Sequence, residues 1–274
     1  MNDNDSILGK DITLSFVGSS SKLITTDHKF VIFNGEDENV INEKADFNCK
    51  LYCSKLKTSK YGQNIIATKI INSTQTIFTG IRVNMLKCDG LVVHAKRQLK
   101  GKGRTGNEWL SPPGCMMFSM QIEIPMDSFL GQSLSMIQHL VIVAFVKSIK
   151  EQGIGYQDLQ LGIKWPNDIY INGQTKIGGI IVNSSLWEKN FRVTIGLGVN
   201  ISNEKPTACL NSLIRSHNVI NFETQLCELE IEDVLAQTLN EIECLVEAFQ
   251  RDGVAQFKEE YYKHWLHRLV QSWT

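Results

Sequence analysis

Residues 96–114 read KRQLKGKGRTGNEWLSPPG, with Gly101, Gly103 and Gly106 interleaved with Lys100, Lys102 and Arg104. Glycine lets a backbone approach a ligand closely and adopt positive φ, and the alternating cations can surround an anion. Apolar segments flank the stretch at 91–95 and 116–124. It therefore reads as a ligand-covering loop hinged between two strands. The spacing Gly101-x-Gly103-x-x-Gly106 also fits a dinucleotide-binding fingerprint. That fingerprint needs a strand running straight into the first glycine and a helix opening at the last. Here mostly polar residues 96–100 come first, and Pro112, Pro113 and Gly114 follow, which cannot continue a helix. Context excludes that fold. A phosphate loop of the form GxxxxGK[ST] is absent as well.

Working outward, three more stretches share the theme of glycine beside single polar groups. Residues 161–171, LGIKWPNDIYI, crowd Lys164, Asn167 and Asp168 around Pro166, which interrupts a regular ladder. Asn172-Gly173 supplies the next hairpin turn. Lys164 to Asp168 is then left inside the strand region, an irregularity that function would explain. Residues 176–183 (KIGGIIVN) and 191–200 (FRVTIGLGVN) are strands carrying Lys176, Gly178, Gly179, Gly196, Gly198 and a terminal Asn200. Glycine within strands marks close approach, and several such strands suggest one concave site on a sheet face. Upstream, a strand at 65–71 ends in Asn72-Ser73-Thr74-Gln75. Ser73 and Thr74 suit either a helix cap or a polar ligand at a helix N-terminus.

The rest of the chain reads as scaffold. Apolar residues at helical spacing predict helices over 133–150, 231–249 and 257–266. Residues 201–220 read as loop, with Pro206 and Asn211-Ser212 as breakers. Strands are expected at 12–17 and 30–33, within a small appended segment, 1–60, that shows no chemistry. His139 suits packing, and His264 and His267 share a helix face with no acidic or cysteine partner placed to complete a metal site.

The chain has 274 residues, 42% apolar and 21% charged, with a net charge of −1. That balance offers no general attraction to nucleic acid or membrane, so any cationic chemistry is local. The acidic N-terminus has no secretory apolar core, and the apolar run at 140–146 is too short for a bilayer. Seven cysteines, odd in number and irregularly spaced, suit reduced thiols in the cell interior. Cys49-x-x-x-Cys53 could give two metal ligands, but no second pair lies nearby.

The segments GKGRTGNEW, KWPND, KIGGI and GLGVNI, in this order and spacing, resemble the catalytic domain of biotin–protein ligases in the eukaryotic holocarboxylase synthetase form. The resemblance spans roughly residues 65–265. It implies an α+β fold, a mixed β-sheet backed by helices and related to class II aminoacyl-tRNA synthetases. It also implies a two-step reaction. Biotin and ATP give biotinyl-5′-adenylate and pyrophosphate; the acyl group then passes to a lysine of a carboxylase's biotin carboxyl carrier domain. Position by position, Ser73, Thr74 and Gln98 match residues holding the biotin ring and tail. Gly101, Lys102, Gly103, Arg104 and Gly106 match the loop over biotin and adenylate. Lys176, with Gly179 near it, matches the lysine at the biotin carboxylate. Trp109 matches an aromatic near the adenine, and Lys164, Asn167 and Asn200 match the nucleotide side, which Arg104 also serves. Asp168 fits a carboxylate linked to magnesium or a proton acceptor for the carrier lysine. Lys176, Arg104 and Asp168 form the expected catalytic set, and Mg²⁺ would offset ATP's charge.

On this reading the domain covers 61–266, and 267–274 begin a truncated C-terminal domain, since relatives continue into a small β-barrel-like unit. The expected location is the cytoplasm, with room for a mitochondrial pool; nucleic acid and membrane are not expected partners. A lipoate- or octanoate-ligase-like enzyme is one alternative, against which KWPND and GKGRTG both argue. A truncated, non-catalytic biotin or adenylate binder is another. No helix-turn-helix with basic recognition residues precedes Ile65, which argues against a DNA-binding regulator.

Overall fold

The computed structural model describes residues 4–9, 12–17, 30–33, 46–80, 89–203 and 205–266. Strands β1 (Asn4–Gly9) and β2 (Ile12–Val17) form a separate antiparallel pair. Eight further strands make one sheet: β3 (Phe30–Phe33), β4 (Ile65–Ile71), β5 (Val92–Gln98), β6 (Cys115–Pro125), β7 (Leu161–Lys164), β8 (Asp168–Ile171), β9 (Thr175–Trp187) and β10 (Asn190–Asn200). Their order is β3-β4-β5-β6-β10-β9-β8-β7. β4 and β5 run parallel and every other neighbouring pair is antiparallel, so the sheet is mixed.

Side chains alternate across each strand, and register decides what each face carries. On one face Met116, Phe118, Met120, Ile122 and Ile124 of β6 join Val193, Ile195, Leu197 and Val199 of β10 in the core. Helices α1 (Cys49–Lys55), α4 (Ile137–Lys150), α5 (Leu210–Ile220), α6 (Ile231–Asp252) and α7 (Val254–His264) supply that core's other half. Two shorter helices, α2 (Gln75–Gly80) and α3 (Phe129–Gln132), follow β4 and β6. The apolar run 140–146 is fully buried in α4, and no described helix is long and apolar enough to cross a membrane. Phe145 and Phe249 are among the largest fully buried side chains; cutting either to alanine costs about 3–5 kcal/mol.

On the opposite face register lines up small and polar residues in rows. Ser119, Gly196 and Ile181 make one row, and Met117, Gly198 and Gly179 the next. Gln121, Thr194 and Asn183 form a third row, beyond the first. Gly179, Gly196 and Gly198 are therefore stacked on one face, while Gly178 falls on the other, against Val199 and Ile169.

Three local readings change. Residues 210–220 are helix, not loop: Asn211 and Ser212 serve its first turn instead of breaking it. The Ser212 hydroxyl accepts from Cys209 N at 3.1 Å, and the buried Asn211 amide clasps both backbone groups of Leu229. Residues 165–167 are a hairpin turn after all, since Lys164 pairs with Asp168; Asn172 and Gly173, both at positive φ, make the following turn. His264 meets a single carboxylate, Glu260 at 3.2 Å, while His267 lies outside the described residues. The boundary expected at residue 60 falls inside packed structure. β3 is a strand of the main sheet, and Phe47 and Tyr52 belong to its core.

Candidate active site

A cavity of about 360 Å³ opens on the glycine face, under the loop quoted at the outset. The loop leaves β5, whose pairing with β4 continues through Arg97 and Gln98, so Gln98 is held at a strand end rather than in a loop. A single tight turn at Arg104–Gly106 follows, with Thr105 and Gly106 at positive φ. No helix opens there, in keeping with the rejected dinucleotide fingerprint.

Eleven of the fifteen expected site residues line this cavity: Ser73, Thr74, Gln98, Lys102, Gly103, Arg104, Trp109, Asn167, Asp168, Lys176 and Gly179. Two charged groups meet from separate elements. Lys176 Nζ on β9 lies 2.7 Å from Asp168 Oδ1 on β8 and 5.9 Å from the centre of the Trp109 ring. Arg104 Nη1 donates to Asn167 Oδ1 at 2.8 Å, and Asn167 in turn donates to Ile180 O at 2.6 Å. The glycine loop is thereby latched to the turn between β7 and β8. The indole of Trp109 lies flush on the sheet only because position 198 has no side chain. A Cβ at Gly198 would sit 2.7 Å from Trp109 Nε1. Burial pushes the neighbouring Cys115 thiol up to about 12, against the lowering effect of the Trp109 indole. That thiol is inert at neutral pH.

Four expected residues lie outside the cavity lining, among them Gly106 at the exposed turn of the loop. Gly101 faces its own loop: a Cβ there would meet Trp109 O at 2.3 Å. Lys164 is exposed, its ammonium 4.8 Å from the centre of the Tyr170 ring. Asn200 is buried and donates to Thr207 Oγ1 at 2.8 Å, which ties down the chain after β10.

The cavity also gathers residues the sequence did not single out, chiefly Gln75 and Ser119. Gln75 was read only as part of a cap, and Ser119 was hidden in the apolar run 116–124. The available signal was a hydroxyl in a strand interior facing a strand that carries glycines. These residues join Thr74 and Gln98 in a neutral, hydrogen-bonded wall opposite the charged end. Among the described residues no group of three His, Cys, Asp or Glu side chains could hold a metal. Asp168 and Glu108 are the carboxylates in the lining.

One face of a mixed sheet thus carries a glycine loop, three cations (Lys102, Arg104 and Lys176) and a neutral polar wall. Residues 67–200 match the Biotin/lipoate A/B protein ligase family. The chain is 38% identical over 221 residues to Biotin–protein ligase of Homo sapiens, covering 81% of this chain and 30% of that protein. It is 32% identical over 250 residues to Biotin–protein ligase 2 of Arabidopsis thaliana, covering 86% of this chain and 69% of that protein. The match thus spans less than a third of the human relative. In fold it is similar to the Aquifex aeolicus biotin protein ligase, solved in complex with biotin and ATP. That likeness has a TM-score of 0.55 at 20% identity, covering 73% of this chain and 77% of that one. The chain belongs to the biotin/lipoate A/B protein ligase family.

Proposed function

We propose that the protein joins biotin to ATP as biotinyl-5′-adenylate, releasing pyrophosphate, and passes the biotinyl group to a lysine of a biotin carboxyl carrier domain. The observation that carries this reading is the polarity of the cavity, neutral hydrogen-bonding groups at one end and Lys176 with Arg104 at the other. The neutral wall suits an uncharged head group, and the cationic end suits a carboxylate meeting a phosphate. Relatives of the same family named for biotin support it.

In the first step a carboxylate oxygen attacks the α-phosphorus and the bond to pyrophosphate breaks. Little proton transfer is needed; positioning and charge neutralisation set the rate. Lys176 orients the carboxylate, and Arg104, braced by Asn167, offsets charge at the phosphate. Asp168 holds the Lys176 ammonium in place, a role its 2.7 Å contact supports better than that of proton acceptor. In the second step the amine of the carrier lysine attacks the acyl carbon and AMP leaves. Magnesium would enter as the counter-ion of ATP, carried mainly by the phosphates as is usual for that ion; Asp168 is the nearest protein carboxylate to Lys176.

The test is biotin-stimulated ATP–pyrophosphate exchange, with lipoate and octanoate as controls. Exchange with biotin alone is expected, and exchange with lipoate instead would replace this reading. Lys176→Ala should lower exchange about 100-fold or more while leaving the melting temperature near that of the parent chain. Near-normal exchange would remove Lys176 from the mechanism.

A further inference from the structure

Resting on the ligase reading, we infer that Gln75 is a specificity-determining residue of the acid subsite and that Asn183, outside the cavity, is the positioning residue that orients it. The argument starts from one backbone group. Thr74 N donates to Gln98 Oε1 at 2.7 Å, which fixes the Gln98 amide with its oxygen toward Thr74. Thr74 Oγ1, 3.2 Å from that same oxygen, can only donate to it. Its contact with Ser119 Oγ at 2.7 Å must then be one in which Ser119 donates. Ser119 has spent its proton, so the Gln75 atom 3.2 Å from it is the donor Nε2. Gln75 Oε1 consequently faces Asn183 and accepts from its Nδ2 at 3.1 Å.

Hydrogen bonds thus run in one direction from Asn183 on β9, over the row of Ser119 and Gly196, to Gln98 beside the glycine loop. Gln98 passes the order on, donating to Ser111 Oγ at 3.0 Å, which donates to Trp109 O at 3.1 Å. The direction determines which valences remain for a ligand. Gln75 offers its second N–H, and Ser119 and Thr74 offer lone pairs. Gly196 is the space that permits this, because a Cβ there would stand 2.6 Å from Gln75 Nε2. A head group with matched acceptors and donors is recognised, and an unbranched acyl chain leaves these buried groups unpaired.

Asn183→Asp tests the direction. Aspartate offers only acceptors, so Gln75 must turn its NH₂ outward or face a carboxylate with its oxygen. A turned amide takes its donor away from Ser119, and an unturned one sets its oxygen against the carboxylate, so the directed chain from residue 183 is broken in both cases. Asn183 is exposed, which makes the substitution safe for folding. Gln75→Leu tests the subsite itself. For both variants the Kd for biotin and the biotin KM in exchange should rise about tenfold, with kcat within about twofold. Discrimination between biotin and octanoate should narrow by a similar factor. Unchanged discrimination in Asn183→Asp, beside a parent chain that does exchange with biotin, overturns this inference alone. A parent chain that shows no biotin binding overturns the ligase reading and this inference with it. If Gln75→Leu fails to fold, Asn183→Asp decides.

Discussion

At the scale of single residues, the glycines of β10 show how absence of a side chain does chemical work. Gly196 and Gly198 share the site face, and each gives its space to a named neighbour, Gln75 and Trp109 respectively. An indole is rigid, so a methyl group at 198 cannot be absorbed by a rotamer change. Gly198→Ala should therefore lift Trp109 off the sheet, at a cost of about 1–3 kcal/mol. The expected result is a several-fold rise in KM for ATP in the exchange assay and a melting temperature lower by a few degrees. An unchanged KM would show that the ring has room to slide. These glycines were legible in the sequence as a pattern, because glycine in a strand has few other reasons to be there. What each one makes room for was not legible, since that depends on register with strands distant in the chain. The same limit explains Lys164 and Asn200. Their types suit a nucleotide site, but one leans on Tyr170 and the other ties down residues 207 and 208.

At the scale of elements, β5 carries a titration that the site does not use. His94 is wholly buried beside Phe47, and burial lowers its pKa to about 4 against an ordinary 6.5, with the Met117 backbone working the other way. Between those values the unfolded chain binds a proton that the folded chain refuses. The contribution is complete above pH 6.5 and is lost as pH falls toward 4, at up to about 1.4 kcal/mol per pH unit. The melting temperature should therefore fall steeply across that window, and His94→Gln should flatten the slope. A variant with the parent's slope would assign the acid sensitivity elsewhere. Elements were legible where periodicity was long: the strand at 65–71 and the helices at α4 and α6 stand close to where apolar spacing put them. Helix α5 was not, because capping residues and breakers are the same residue types. Only the tertiary partner, the Leu229 backbone, makes Asn211 part of a helix start.

At the scale of the molecule, α6 is the spine to which the segment ahead of the main strands is fastened. Glu232 accepts from Asn48 N at 2.8 Å, and Asn240 takes Lys57 N at 2.7 Å while donating to Lys55 O at 2.9 Å. Glu243 accepts from Ser59 N, Lys60 N and Tyr61 N. Partial burial works to raise the pKa of this carboxyl, but those N–H groups outweigh it and hold it below 4.5. Glu243→Ala would leave three backbone donors without their acceptor. A loss of about 1–3 kcal/mol is expected, read as a lower midpoint in urea; an unchanged midpoint would mean that water replaces the carboxylate without cost. None of this was legible from residues 46–62 alone. Their composition is that of an appended segment, and their role comes from one helix face about 180 residues later.

The seating of Trp109 against Gly198 has one more consequence, which concerns light. An indole is the chain's strongest emitter, and its colour follows the polarity and charge around it. Trp165 is exposed and Trp187 is stacked under Arg192, so neither samples the cavity. Trp109 does, from inside the lining and within reach of the Lys176 ammonium. The protein carries its own optical gauge of whether the pocket is filled.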